Sequence, residues 1–360
     1  RSVVIGAVEF SPADYAQLRE RIKRIEAAER RSPVFAKDDF KEADVRWILD
    51  ARETTIASDS SWVTTNTVVK EILTYEGKKK SAELKFSFNP SVERIGILSA
   101  VVSNRNGQVF AVSDREMNLM DCGWASAAPR YPAGKILVVN LPSVEIGSVI
   151  TTVVESVTTA SPSAYRNRFY LDAVEPTDRL VYRVGDEVRE ISDPERVPVE
   201  DDQPAGRRWR KSFVVDRGTF AATCETLRRA ASVEPLDPSV LQLQASTAPK
   251  ALRDWMAKHV RVTGPSLYEL PPERQLTDPA TVVKERYATR LDYVRTLCAL
   301  LKGAGFVSDV VFASSVRGED ERYPTAYTEA VCRVDGLFLG LENEYTPLEA
   351  TALDGVWYLD

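Results

Sequence analysis

The rarest reactive side chain bounds the chemistry of this 360-residue chain: there is one histidine, His259. Mechanisms that need two imidazoles are excluded, paired-His zinc sites of the H-E-x-x-H kind among them, and any Cys-His or Ser-His chemistry has one candidate base. Cys122, Cys224, Cys298 and Cys332 contain no C-x-x-C spacing, so neither a zinc knuckle nor a thioredoxin-type redox pair is written, while two disulfides stay open. The carboxylates of Arg317-Gly318-Glu319-Asp320-Glu321-Arg322 read as a charged loop between strands rather than the acid and base pair of glycoside hydrolysis. There is no Gly-rich phosphate loop ending in Lys-Ser/Thr and no metal-loop spacing of carboxylates, so no cofactor and no metal are expected.

Charge and composition narrow the partners. Lys and Arg number 47 against 53 Asp and Glu, a net charge of −6 with no long block of one sign, so nucleic acid is not expected as a partner. A 44% hydrophobic content excludes a disordered chain and, at 360 residues, suggests two or three domains, each able to bury a core. No run of 18 apolar residues occurs, so no transmembrane segment is expected. The start at Arg1 suggests a form from which an N-terminal segment has been removed.

The elements that must position any site follow from periodicity. Ser11-Pro12 reads as a helix start, followed by Tyr15, Leu18, Ile22 and Ile25 at helical spacing, and Lys37–Ala57, with Val45, Ile48 and Leu49, reads as a second helix. Residues 1–57 are therefore expected to form an N-terminal helical segment. From Trp62 the period changes to two, with β-branched runs at 62–69, 83–88, 95–102, 109–112, 135–141, 148–157, 168–174, 180–184 and 209–215. Asn106-Gly107 signals a hairpin, and the whole of 58–218 reads as an antiparallel β-sandwich. Helical spacing returns at Phe220–Ala231, Ala248–Val260 and Leu291–Gly305, and strands close the chain around a second hairpin signal, Asp335-Gly336. Residues 230–360 thus read as an α+β domain, and the fold class as multidomain α+β.

Two stretches resemble a known pair of domains. Trp124 to Ile150, with Ala128-Pro129-Arg130-Tyr131-Pro132 and Leu141-Pro142-Ser143-Val144-Glu145-Ile146-Gly147-Ser148, resembles the β-rich domain of unknown function that precedes transglutaminase-like domains in many bacterial exported proteins. Ala288-Thr289-Arg290-Leu291-Asp292, followed by Leu297-Cys298-Ala299-Leu300-Leu301-Lys302-Gly303-Ala304-Gly305-Phe306, resembles the Gly-x-Cys-x-Asp helix of the transglutaminase-like, papain-like partner domain. Together the two cover most of residues 60–360. The resemblance implies an exported, periplasmic or comparable location and a cysteine thiolate at a helix N-terminus, with a histidine and an acid on the strands that follow. Here the nucleophile position holds Arg290, which stays protonated. The histidine position falls in Tyr327-Thr328-Glu329-Ala330-Val331, which has none, and the acid position falls near Glu342 and Glu344.

The expected degenerate-site positions are therefore Arg290, Asp292, Thr328, Glu329, Glu342 and Glu344, with no catalytic residue. Asp292 reads as structural near a helix start, or else Arg290 and Asp292 form a spot at which Arg290 binds a carboxylate. Cys224, Cys298 and Cys332 read as packing residues, Cys122 as a loop cysteine, and His259 as a cap at the end of a helix. The expectation is a non-enzymatic cell-envelope binding protein, a pseudoenzyme, whose partner is a peptide, a glycan or another envelope protein. The alternatives are a cysteine-dependent hydrolase or transglutaminase-like peptidase with a displaced nucleophile, and a structural assembly protein marked by a large exposed apolar patch.

Overall fold

The computed structural model describes residues 3–5, 43–161, 164–196, 211–218, 220–242, 247–314, 329–341 and 357–359. The helix expected after Ser11-Pro12 lies outside them. The chain divides into two compact units: Arg1–Met120, Lys135–Thr159 and Tyr165–Arg217 make the first, and Asp121–Gly134, Ala160–Ala164 and Gly218–Asp360 the second.

The first unit is built on β1 (Val3–Ile5), β2 (Val45–Ser58), β3 (Ser61–Ile72), β4 (Glu83–Phe88), β5 (Glu93–Ser103) and β6 (Val109–Ala111). It continues with β7 (Met117–Asp121), β8 (Lys135–Asn140), β9 (Val149–Thr158), β10 (Arg166–Tyr170), β11 (Arg179–Val184), β12 (Glu187–Ser192) and β13 (Ser212–Asp216). The large sheet runs β1-β5-β9-β3-β2-β11-β12 with β6 hairpinned onto β5 across Asn106-Gly107, as that dipeptide predicts. A second sheet runs β4-β8-β7. Ile95, Ile97, Val102, Ile150 and Val154 of the first sheet share one buried core with Phe88, Leu137 and Val139 of the second. The ribbon β10-β13 covers β11 through a smaller core of Phe169, Leu180, Tyr182 and Val215.

Three expectations are corrected here. Residues 45–57 are strand, not helix. A register shift between Trp47 and Leu49 inserts an extra residue into β2, so its buried positions fall at Val45, Leu49, Ala51 and Thr54. Those gaps of four, two and three imitate a helical stripe in a strand that pairs with β3 along its length. The sheet is also mixed rather than antiparallel, because β11 lies parallel to β2. More than 100 residues separate those strands, ample for the crossover that parallel pairing requires, and Arg46 pins them by bonding both carboxylate oxygens of Asp178 at 2.9 and 2.6 Å. Finally, a short helix, α1 (Tyr75–Ser81), interrupts the strands, capped by the Thr74 hydroxyl accepting from Gly77 N at 3.0 Å.

In the second unit, α2 (Phe220–Ala231), α3 (Pro249–His259), α4 (Pro279–Glu285) and α5 (Arg290–Gly303) accompany a sheet of β16 (Ser308–Ser314), β17 (Glu329–Val334), β18 (Leu337–Phe338) and β19 (Trp357–Leu359), ordered β18-β17-β16-β19. Two-residue strands β14 (Arg261–Val262) and β15 (Tyr287–Ala288) pair in parallel just before α5. Asp335-Gly336 turns β17 into β18 with both residues in the left-handed region, φ 46° and 84°, which glycine adopts without a Cβ penalty. Helix α5 is the axis of the unit: every residue from Leu291 to Leu301 is buried. Leu291, Val294, Leu297 and Cys298 pack with Met256 of α3, Val282 of α4 and Cys332 of β17 in one core.

Candidate functional site

The site predicted from sequence is the N-terminus of α5, and local chemistry fixes where it starts. Arg286, in the left-handed region at φ 66°, ends α4, and the Thr289 hydroxyl caps α5 by accepting from Asp292 N at 3.1 Å. Asp292 is fully buried. Its Oδ1 accepts from Thr277 N at 2.9 Å and from Arg295 Nη1 at 3.1 Å, and its Oδ2 from the Tyr131 hydroxyl at 2.7 Å. The Tyr131 oxygen in turn accepts from Thr289 N at 3.1 Å and from Arg130 Nη2 at 3.0 Å. Burial, with the Asp292 carboxylate beside it, holds the Tyr131 phenol above its ordinary range, so it remains a protonated donor.

Arg130 completes this network. Its guanidinium lies over the Tyr131 and Tyr287 rings at 4.9 and 4.4 Å, donates to Thr277 Oγ1 and the Tyr287 carbonyl, and pairs with Glu285. Residues 121–134 thus belong to the base of α5. The segment closes on itself through Cys122 N donating to Gly134 O at 2.9 Å, a compact loop between β7 and β8. Arg130 and Tyr131 stand within the resembling stretch Trp124–Ile150, but nothing in the sequence assigns a role to Arg130, Tyr131, Thr277 or Arg295. The flanking strand patterns hide the excursion, and a side-chain partner of Asp292 lying 161 residues away, Tyr131, leaves no periodic trace.

Arg290 and Asp292 share a turn of helix but part company. Arg290, its side chain 35% exposed, reaches toward β17, where Nε donates to the Ala330 carbonyl at 3.1 Å and lies 3.8 Å from a carboxylate oxygen of Glu329. The structure therefore brings together two of the predicted positions, Arg290 and Glu329, while Asp292 points into the buried network. The Nη groups of Arg290 have no protein partner among the described residues. Thr328, Glu342 and Glu344 lie outside the described residues. Behind Arg290, Tyr293 is buried with its hydroxyl unpartnered among the described residues. Burial pushes its phenol up to about 12, against the opposing pull of the Arg290 and Arg253 charges.

The other reactive side chains lie elsewhere. His259 closes α3, its Nδ1 at 2.9 Å from the Trp255 carbonyl and its ring stacked on Trp255 at 4.8 Å, the helix-end setting expected for it. Cys224, Cys298 and Cys332 are buried, with the sulfurs of Cys298 and Cys332 3.2 Å apart. Cys122 is half-buried, and burial with the carboxylates of Glu269 and Asp121 holds its thiol above its ordinary range. Burial likewise raises the thiol of Cys224. Among the described residues no cluster of three His, Cys, Asp or Glu side chains could hold a metal. A cavity of about 380 Å³, bounded by Ser232–Leu236, Leu276–Pro279 and Arg295, adjoins the Asp292 network.

Residues 58–200 match a family described as "Domain of Unknown Function with solved-structure structure (DUF3857)". A crystal structure described as a "putative protease" from Parabacteroides distasonis ATCC 8503 superposes with a TM-score of 0.67 at 16% identity, over 85% of this chain and 68% of that one. The chain shares that protein's fold. A "putative cysteine protease" from Cytophaga hutchinsonii aligns over 87% of this chain and 82% of its own at 11% identity, but its TM-score of 0.24 establishes no common fold. No curated protein matches.

Proposed function

We propose that the chain is a non-enzymatic binding protein of the cell envelope. In this reading a pre-transglutaminase β-sandwich is joined to a transglutaminase-like domain that lacks the catalytic cysteine and histidine. The observation that carries the proposal is Arg290 at the first position of α5, the place of the nucleophile in the resembling family. A cationic guanidinium cannot attack an amide carbonyl, but one with both Nη groups unpartnered among the described residues can clamp a carboxylate through two parallel charge-assisted bonds. The favoured ligand is a peptide with a free carboxylate; a glycan or an envelope protein carrying such a group would engage the same donors. Location in the periplasm or another exported compartment belongs to the proposal and rests on the family resemblance.

The test compares short peptides bearing a free C-terminal carboxylate with their amidated twins, by calorimetric titration of the native protein and of Arg290→Ala. Selective binding of the free acids, weakened about tenfold or more in the variant, supports the reading. Equal affinity for both peptide sets, or no effect of Arg290→Ala, overturns it.

The rival is a cysteine hydrolase with a displaced nucleophile, and the fold shared with the Parabacteroides distasonis protein keeps it in view. Such an enzyme would have to use Cys122, since the other three cysteines are buried. Its two carboxylate neighbours oppose the thiolate that nucleophilic attack requires. Rapid alkylation of Cys122 near about pH 6 would establish the rival, whereas an unperturbed or raised thiol reacts appreciably only above about pH 8.

A further inference from the structure

We propose that Cys298 and Cys332 form a disulfide that staples α5 to β17, a modification independent of the binding role argued above. The two residues lie 34 positions apart, are both completely buried, and hold their sulfurs 3.2 Å from each other. That separation is about 1.2 Å longer than an S–S bond, a gap that small side-chain rotations can close.

The backbones that carry the two side chains are fixed independently by one strand, β16. The Cys298 carbonyl accepts from the Ser308 hydroxyl at 2.9 Å, and Cys332 sits opposite Val310 in the β16-β17 register while its carbonyl accepts from Leu339 N. The meeting of the thiols is therefore built into the packing and needs no hinge or loop movement. Cys122 and Cys224 enter no comparable contact.

The seam along which the staple would lie also holds the candidate site. Cys298 is eight residues beyond Arg290 along α5, about 12 Å of helix, and Cys332 is two residues beyond Ala330, whose carbonyl Arg290 grips. Closing the bond would lock α5 against β17 just below the Arg290–Glu329 pair.

The chemistry is thiol–disulfide exchange with a small-molecule or protein disulfide. One cysteine thiolate attacks the external disulfide and releases one thiolate, and the second cysteine then attacks the mixed disulfide and releases the other. The cysteine pair loses two electrons and two protons, which appear on the two thiols released. The hydrogen bond with the Cys298 thiol, together with burial, keeps Cys332 protonated in the folded chain, which makes exchange during folding the route of entry, and the same burial shields the finished bond.

The experiment refolds the full chain from reduced denaturant in a glutathione redox buffer, quenches with excess alkylating agent under denaturing conditions, and maps peptides by mass spectrometry. The expected result is alkylation of Cys122 and Cys224 and a cross-linked peptide joining Cys298 to Cys332. The product should also melt roughly 5–10 °C above the fully reduced protein, a difference absent in Cys298→Ala/Cys332→Ala. Alkylation of all four cysteines in the folded product, a cross-link between any other pair, or stable glutathione adducts on Cys298 or Cys332 would each overturn the proposal.

Discussion

With three donors converging on a carboxylate that has no exposed surface, Asp292 is the most consequential side chain at the candidate site. Asp292→Asn removes the charge that neutralises Arg295 and leaves a guanidinium, 10% exposed, without its carboxylate. The expected loss is about 3 kcal/mol, read from the denaturant midpoint at constant m-value. Tyr131→Phe should cost less, about 1–2 kcal/mol, because it deletes one donor to Asp292 and the acceptor of Thr289 N but no charge. The double variant should lose less than the sum of the two, since the residues share one network, and strict additivity would show that they act separately.

Glu93, the first residue of β5, offers a pH-dependent check in the other unit. Burial raises its carboxyl to about 7. The folded state therefore holds a proton that the unfolded chain releases near its ordinary value of about 4.3, so Glu93 supports folding fully below that pH and withdraws the support as pH rises through 7. Stability should fall by about 3 kcal/mol between about pH 4.5 and 7.5 from this group, and Glu93→Gln should flatten that slope. A variant whose stability profile has the slope of the parent would exclude Glu93 as its source.

Among elements, α5 shows how much was legible in the sequence and where legibility stopped. The stripe Leu291, Val294, Leu297, Cys298 and Leu301 predicts the helix and its buried face, and the structure buries all five. The two hairpin dipeptides work as well, because a turn needing left-handed backbone is written locally in Asp-Gly or Asn-Gly. β2 imitates a helix in sequence because a bulge shifts the burial period, and the bulge depends on pairing with β3, information that is not local. The position of Arg290 at the helix start could be read from sequence, but its turn toward Glu329 and away from Asp292 depends on which neighbours pack against α5. Gly303, the last residue of α5, carries a constraint that propensity would miss. A Cβ there would stand 1.9 Å from the Leu236 carbonyl oxygen, a backbone atom tied to the helix by Leu236 N donating to Ala299 O at 2.9 Å. Gly303→Ala, ordinarily favourable within a helix, should instead destabilise by about 2 kcal/mol or more, measured by chemical denaturation.

At the scale of the whole molecule, the chain passes between its units more than once. Asp121–Gly134 leaves the first unit between β7 and β8, supplies Arg130 and Tyr131 to the base of α5, and returns to the first unit at β8. The second unit is therefore not a contiguous stretch of sequence. A fragment of residues 218–360 retains α5 and its sheet but loses the Tyr131 hydroxyl on Asp292 and the guanidinium that holds Thr277, Glu285 and Tyr287 together. Several buried polar groups, Thr289 N among them, would be left without partners, each costing about 1–3 kcal/mol against a stability of only about 5–15 kcal/mol for an ordinary domain. The fragment should show no cooperative thermal transition by near-ultraviolet circular dichroism. A synthetic peptide of residues 121–134 added in excess should restore one, because a ligand that binds only the folded state stabilises it in proportion to the logarithm of its concentration. A fragment that unfolds cooperatively at the melting temperature of the full chain, with or without the peptide, would show that the Tyr131–Asp292 network is dispensable to the unit.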